Sequence, residues 1–85
     1  MAATRNPVSI EFLRTEVETS FVFARIAADA TDEEKKRRNL RNARTGYDTL
    51  MHFLSELVLT NDERDEIRMK VLELQRQLVV LGETL

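Results

Sequence analysis

Residues 40–58 read LRNARTGYDTLMHFLSELV, and the apolar positions Leu40, Ala43, Tyr47, Leu50, Leu54 and Leu57 alternate steps of three and four without a break. That spacing holds one stripe on one side of a 3.6-residue helix, with Met51 and Val58 widening it, and no period-two pattern competes. Only Gly46 works against the helix, at a cost of about 1 kcal/mol relative to Ala. Upstream, Thr31 is followed three residues later by Glu34, a capping-box pattern in which each side chain satisfies the other's free backbone amide. A helix over about 32–59 follows, roughly 40 Å long at 1.5 Å per residue, with its polar first two turns expected to project beyond the core.

The same logic extends in both directions. Ile10, Leu13, Val17, Ala24 and Ala27 keep the three-and-four spacing, with Ser20 at the missing step. Asn6 followed by Pro7 reads as an N-cap and first helical residue, so this helix is expected over about 7–30. Downstream, Thr60 and Glu63 repeat the capping box before Ile67, Val71, Leu74, Leu78 and Leu81, and Gly82 stands where a C-terminal cap belongs, giving a helix over about 61–82. Links this short force successive helices to fold back on each other. The expected fold is therefore all-α, an antiparallel up-down-up three-helix bundle with a long central helix. Its core is expected to draw on Leu13, Val17, Ala24, Leu40, Tyr47, Leu50, Leu54, Leu57, Ile67, Val71, Leu74, Leu78 and Leu81.

Composition narrows the function. The 85 residues include no Cys, which removes disulfides, thiolate catalysis and Cys-ligated metals, and two Gly leave nothing for a phosphate-binding loop. The longest apolar run, Leu78 to Leu81, is far too short to span a bilayer, and a cytoplasmic location is expected. Thirteen Lys and Arg against fifteen Asp and Glu give a formal charge of -2, so no global basic field draws the chain onto nucleic acid. A closed bundle of this size is expected to leave no pocket of a few hundred cubic ångströms, which argues against an enzyme, a cofactor and a small-molecule substrate.

Three clusters are candidates for chemistry. Lys35, Lys36, Arg37, Arg38, Arg41 and Arg44 are six cations in ten residues. Asp32, Glu33 and Glu34 stand four residues before Lys36, Arg37 and Arg38, the order that pairs acid with base along a helix, so a self-paired solvated face is expected. Asp48, His52 and Glu56 share one line of the helix, but on its outward side, where no closed coordination shell forms and no metal is expected. Seven residues separate Arg44 from His52, which misses the Arg-to-His spacing of RNA-cleaving HEPN-type helical proteins. Finally, Phe12, Phe21, Val22, Phe23 and Ile26, with Met69, Leu72, Val79 and Val80, exceed what one narrow stripe per helix can hold.

Large exposed apolar surface on a soluble domain marks an interface. The expected function is thus a non-catalytic protein-interaction module, self-associating as a homodimer, with Phe12, Phe23, Leu72 and Val79 as contact residues and the basic end of helix two as an orienting charge. The alternative is binding of nucleic acid or an acidic surface through Arg37, Arg41 and Arg44.

Within helix two, Asn42-Ala43-Arg44-Thr45-Gly46-Tyr47-Asp48-Thr49-Leu50 resembles the second helix of tetratricopeptide-type helical hairpins, where a small residue is followed four on by an aromatic. The chain as a whole looks like short bacterial three-helix-bundle proteins known mainly as folds. Both resemblances imply a helical scaffold, and neither assigns a functional residue.

Overall fold

A computed structural model describes residues 9–85, which form α1 (Ile10–Asp29), α2 (Glu33–Glu56) and α3 (Asn61–Val80) with no strand among the described residues. All three helices pack against one another in a bundle measuring 51 × 21 × 18 Å. Arg14 reaches Glu66 and Glu18 reaches Lys70, so α1 and α3 run parallel. Phe12 lies against Phe53, and Ser20 against Gly46, so α2 runs antiparallel to α1.

The helix boundaries follow from their caps. The start expected at Asn6 and Pro7 lies outside the described residues; α1 opens at Ile10, with the Ser9 hydroxyl accepting from the Phe12 amide at 3.3 Å. For α2 the cap is Asp32 rather than Thr31: its carboxylate accepts from the Lys35 amide at 3.2 Å, and the carboxylate outcompetes the neighbouring hydroxyl for an unpaired N–H at the positive end of the helix. The capping box at Thr60 and Glu63 forms in full. At the far end of α3, Gly82 takes φ 105° while the Gly82 amide donates to the Val79 carbonyl and the Glu83 amide to that of Leu78, a Schellman closure. The C-terminal end of α2 is closed by a group that local patterning does not reveal: the Arg64 guanidinium, from the first turn of α3, donates to the carbonyls of Leu54 and Leu57. A cation at that terminus satisfies orphan carbonyls and the negative end of the helix dipole together.

The core contains Leu13, Val17, Ala24, Leu50, Leu57, Ile67, Val71, Leu74 and Leu78, as their spacing suggests. On α2, however, the buried line is Asn39, Ala43, Gly46 and Leu50, whereas Leu40, Tyr47 and Leu54 are half-buried beside it, as is Leu81 on α3. Met51 and Val58, expected to widen the core face, are exposed. The rotation has a steric cause. Ser20, Ala24 and Ala27 are buried on α1 and Asn39, Ala43 and Gly46 on α2, with Ser20 against Gly46, and small residues at a crossing let the helix axes approach closely. A Cβ on Gly46 would stand 1.8 Å from the Ser20 Oγ and 3.1 Å from its Cβ, so the glycine that weakens the helix locally is what the packing requires. Both buried polar side chains are satisfied within their own helices, Ser20 Oγ donating to the Glu16 carbonyl at 2.9 Å and Asn39 Nδ2 to that of Lys35 at 2.8 Å.

Candidate interaction surface

The core residues of α3 fall on one side, and the residues diametrically opposite are also apolar. Met69 is 70% exposed, Leu72 50%, Val79 53% and Val80 85%. With Glu73 and Arg76 between them they occupy the outer face of α3. Leu72 also borders a groove of about 440 Å³ between α2 and α3, shared with the exposed Met51 and lined by no carboxylate-bearing residue. A second groove, of about 550 Å³, runs between α1 and α3 past Phe21, Ala24 and Val80, with Arg25, Arg76, Glu18 and Glu73 among its lining. These volumes correct the expectation of a pocket-free surface. They are open clefts between helices rather than enclosed cavities, arising because α3 touches both other helices less intimately than those two touch each other.

The surplus apolar residues of α1 behave differently. Phe21 and Phe23 are half-buried against the core, and Phe12, 40% exposed, packs edge-on to Phe53 with ring centres 6.0 Å apart. Phe12 and Phe23 lie eleven positions apart and so share a flank of α1, whereas Arg14 and Glu18 face α3. The structure therefore separates Phe12 and Phe23 from Leu72 and Val79; Val22, 48% exposed, also stays outside on α1, and Met69 and Val80 give α3 the larger share of free apolar surface.

The basic segment also departs from expectation. The pairs of Asp32 with Lys36, Glu33 with Arg37 and Glu34 with Arg38 do not form, and among the described residues no ion pair engages Lys35, Lys36, Arg37, Arg38 or Arg41. Asp32 is turned to the backbone as the cap, and Glu33 and Glu34 occupy the first turn, where the helix dipole already favours them. Arg37, Arg38 and Arg41 stand exposed around a shallow, mainly polar cleft with Glu34. Arg44 is different: it is half-buried and fixed by Asp48 at 3.2 Å and Glu83 at 2.8 Å, contacts that raise its already high pKa, the Glu83 hydrogen bond most. It anchors the chain end beyond α3, so of the three arginines proposed for anion binding, two are available and one is structural.

The remaining ion pairs brace the bundle. Arg14 bridges to Glu66 at 2.7 Å and to Glu11 at 2.6 Å, and its hydrogen bonds hold the Glu66 carboxyl below the ordinary carboxylate range. Arg76 does the same for Glu73 one turn away. Asp48, His52 and Glu56 are all exposed, and no metal-holding group of three such side chains occurs among the described residues. No helix of the described residues is long and apolar enough to cross a membrane. The chain matches no family model, no curated protein and no solved structure.

Proposed function

We propose that this protein is a non-catalytic helical interaction module that self-associates, with the outer face of α3 as its contact surface and the basic end of α2 as an orienting charge. The observation that carries this reading is the apolar outer side of α3: Met69, Leu72, Val79 and Val80 lie outside the core and are half or more exposed. A helix buried on one side only has no folding reason to be apolar on the other, and apolar area left in water is what association removes. On α1 the surplus is divided, with Phe21, Phe23 and Ile26 half-buried and Phe12 and Val22 exposed.

Light-scattering mass over a range of concentration tests the reading. The expected result is a rise from 9.9 kDa toward twice that value which persists at high salt, since burial of apolar surface is not screened. A monomer mass at every concentration overturns it.

A second reading has its own observation. Lys35, Arg37, Arg38 and Arg41, without an ion pair among the described residues, form a cationic end of α2 that can contact phosphates, and binding of that kind falls steeply with salt. Absence of any binding to a short DNA duplex at low salt removes it.

A further inference from the structure

We propose that the groove between α2 and α3 binds a single-chain amphiphile with an anionic head, a fatty-acid-like carboxylate, its head on Arg64 and Arg68 and its chain laid over Met51, Leu54, Val71 and Leu72. The inference goes beyond the self-association proposed above and does not depend on it.

The lining residues recur about one turn apart on each helix: Arg64, Arg68, Val71, Leu72 and Gln75 along α3, and Leu54, Met51 and Tyr47 along α2. These two helices run in opposite directions, and the Arg64 guanidinium reaches the Leu54 carbonyl. Both arginines therefore fall at one end of the groove, near the turn that joins the helices, with Tyr47 and Gln75 at the other. From Arg64 to Gln75 the helix rises about 17 Å at 1.5 Å per residue. The groove is thus polarised along its length, cationic at one end and apolar through the middle, where Val71 is buried, Leu54 half-buried, and Met51 and Leu72 about half exposed.

Charge selects the head group. The chain carries fifteen acids, and three other clefts each set one beside their bases: Glu18 and Glu73 beside Arg25 and Arg76, Asp29 beside Lys35, and Glu34 beside Arg37 and Arg41. The α2–α3 groove has two arginines and no carboxylate. Arg68 is exposed and without an ion pair among the described residues. Arg64 donates to the Leu54 and Leu57 carbonyls, which uses two of the five N–H groups that a guanidinium carries, so donors remain at both residues for an anion. A carboxylate there gains charge-assisted hydrogen bonds from planar guanidinium forks. Volume selects the chain. At about 440 Å³ the groove lies in the range of small-molecule sites, whereas a helix roughly 10 Å across fills about 1,300 Å³ over the same length. A single alkyl chain fits within the groove, where a partner's helix would rest on its rim.

Decanoate below its micellar concentration is the probe, titrated at fixed protein concentration and followed by amide chemical shifts. The expected result is a saturable response at Met51, Leu54 and Arg68, with decanol, which has the same chain and no charge, roughly tenfold weaker. Arg68→Gln is expected to weaken decanoate about tenfold, the loss of one charge-assisted contact, and Met51→Glu, which sets a carboxylate in the groove, to abolish binding. Both positions are exposed, and unchanged far-ultraviolet dichroism checks that each variant folds. Arg64 is left in place because it closes α2. Absence of a saturable response in the groove overturns the site, and equal binding of decanol overturns the anionic head. An acidic amphipathic peptide that shifts the same amides where decanoate does not overturns the proposal in favour of a partner helix. Shifts of Met51 and Arg68 on concentrating the protein alone overturn it in favour of a second copy. Light-scattering mass read on the same samples keeps a failure to self-associate distinct from an empty groove.

Discussion

Replacing Gly46 by Ala sets two known effects against each other. In an exposed helix interior the change stabilises by about 1 kcal/mol, through backbone entropy and helix propensity. Here the new methyl would stand 1.8 Å from the Ser20 Oγ, 3.1 Å from the Ser20 Cβ and 3.4 Å from Glu16 Oε2. Rotating the Ser20 hydroxyl away gives up its hydrogen bond to the Glu16 carbonyl and still leaves the Cβ contact too short, so α1 and α2 must part by a few tenths of an ångström. Overpacking of this kind costs about 1–3 kcal/mol, and the lost hydrogen bond about 1 more, which the propensity gain offsets, so the net expectation is a loss of roughly 1–3 kcal/mol. In a chain of this length that lowers the melting temperature by roughly 5–25 °C. Thermal and urea unfolding followed by helical dichroism measures it, and Ser20→Ala in the same chain is expected to recover part of the loss, because it removes the shortest contact. A Gly46→Ala protein more stable than the original would refute the close α1–α2 crossing.

Other expectations follow from the caps and ion pairs. Thr60→Ala removes half of the capping box and should cost about 1 kcal/mol in urea unfolding, with no effect on self-association. Gly82→Ala forces a side chain into left-handed backbone at φ 105° and should cost about 1 kcal/mol, although nothing crowds the position. Glu66 and Glu73 have depressed folded-state pKa values, so their contribution is fully present above the ordinary carboxylate pKa near 4.5 and is lost as pH falls through the folded values. The melting temperature should hold between pH 7 and 5, then fall below about pH 4.5, and Glu66→Gln should flatten that fall.

Helix count, order and connection were legible in the sequence because each depends on neighbours along the chain: three apolar stripes, a capping box at Thr60 and Glu63, and Gly82 at a helix end. The face that α2 buries was not. Counting apolar residues favours Leu40, Tyr47 and Leu54 over Asn39 and Gly46, yet the crossing with α1 turns on Ser20 meeting Gly46, two small residues far apart in sequence. The cap at Asp32 turns one of the acids expected to pair along the helix toward the backbone instead. Arg44 looked like part of a basic face until the chain end brought Glu83 back to it, and Arg64 closes α2 from the next helix. On the candidate surface, sequence identified the surplus apolar residues, but only packing could divide them into Phe21, Phe23 and Ile26, which are half-buried, and Phe12, Val22 and the α3 residues, which stay outside.

The outer face of α3 is the centre of this reading, and amide chemical shifts followed through a dilution series test it residue by residue. The expected shifts map to Met69, Leu72, Arg76, Val79 and Val80. Shifts confined to the flank of α1 that carries Phe12 and Phe23, or none across the series, would contradict it.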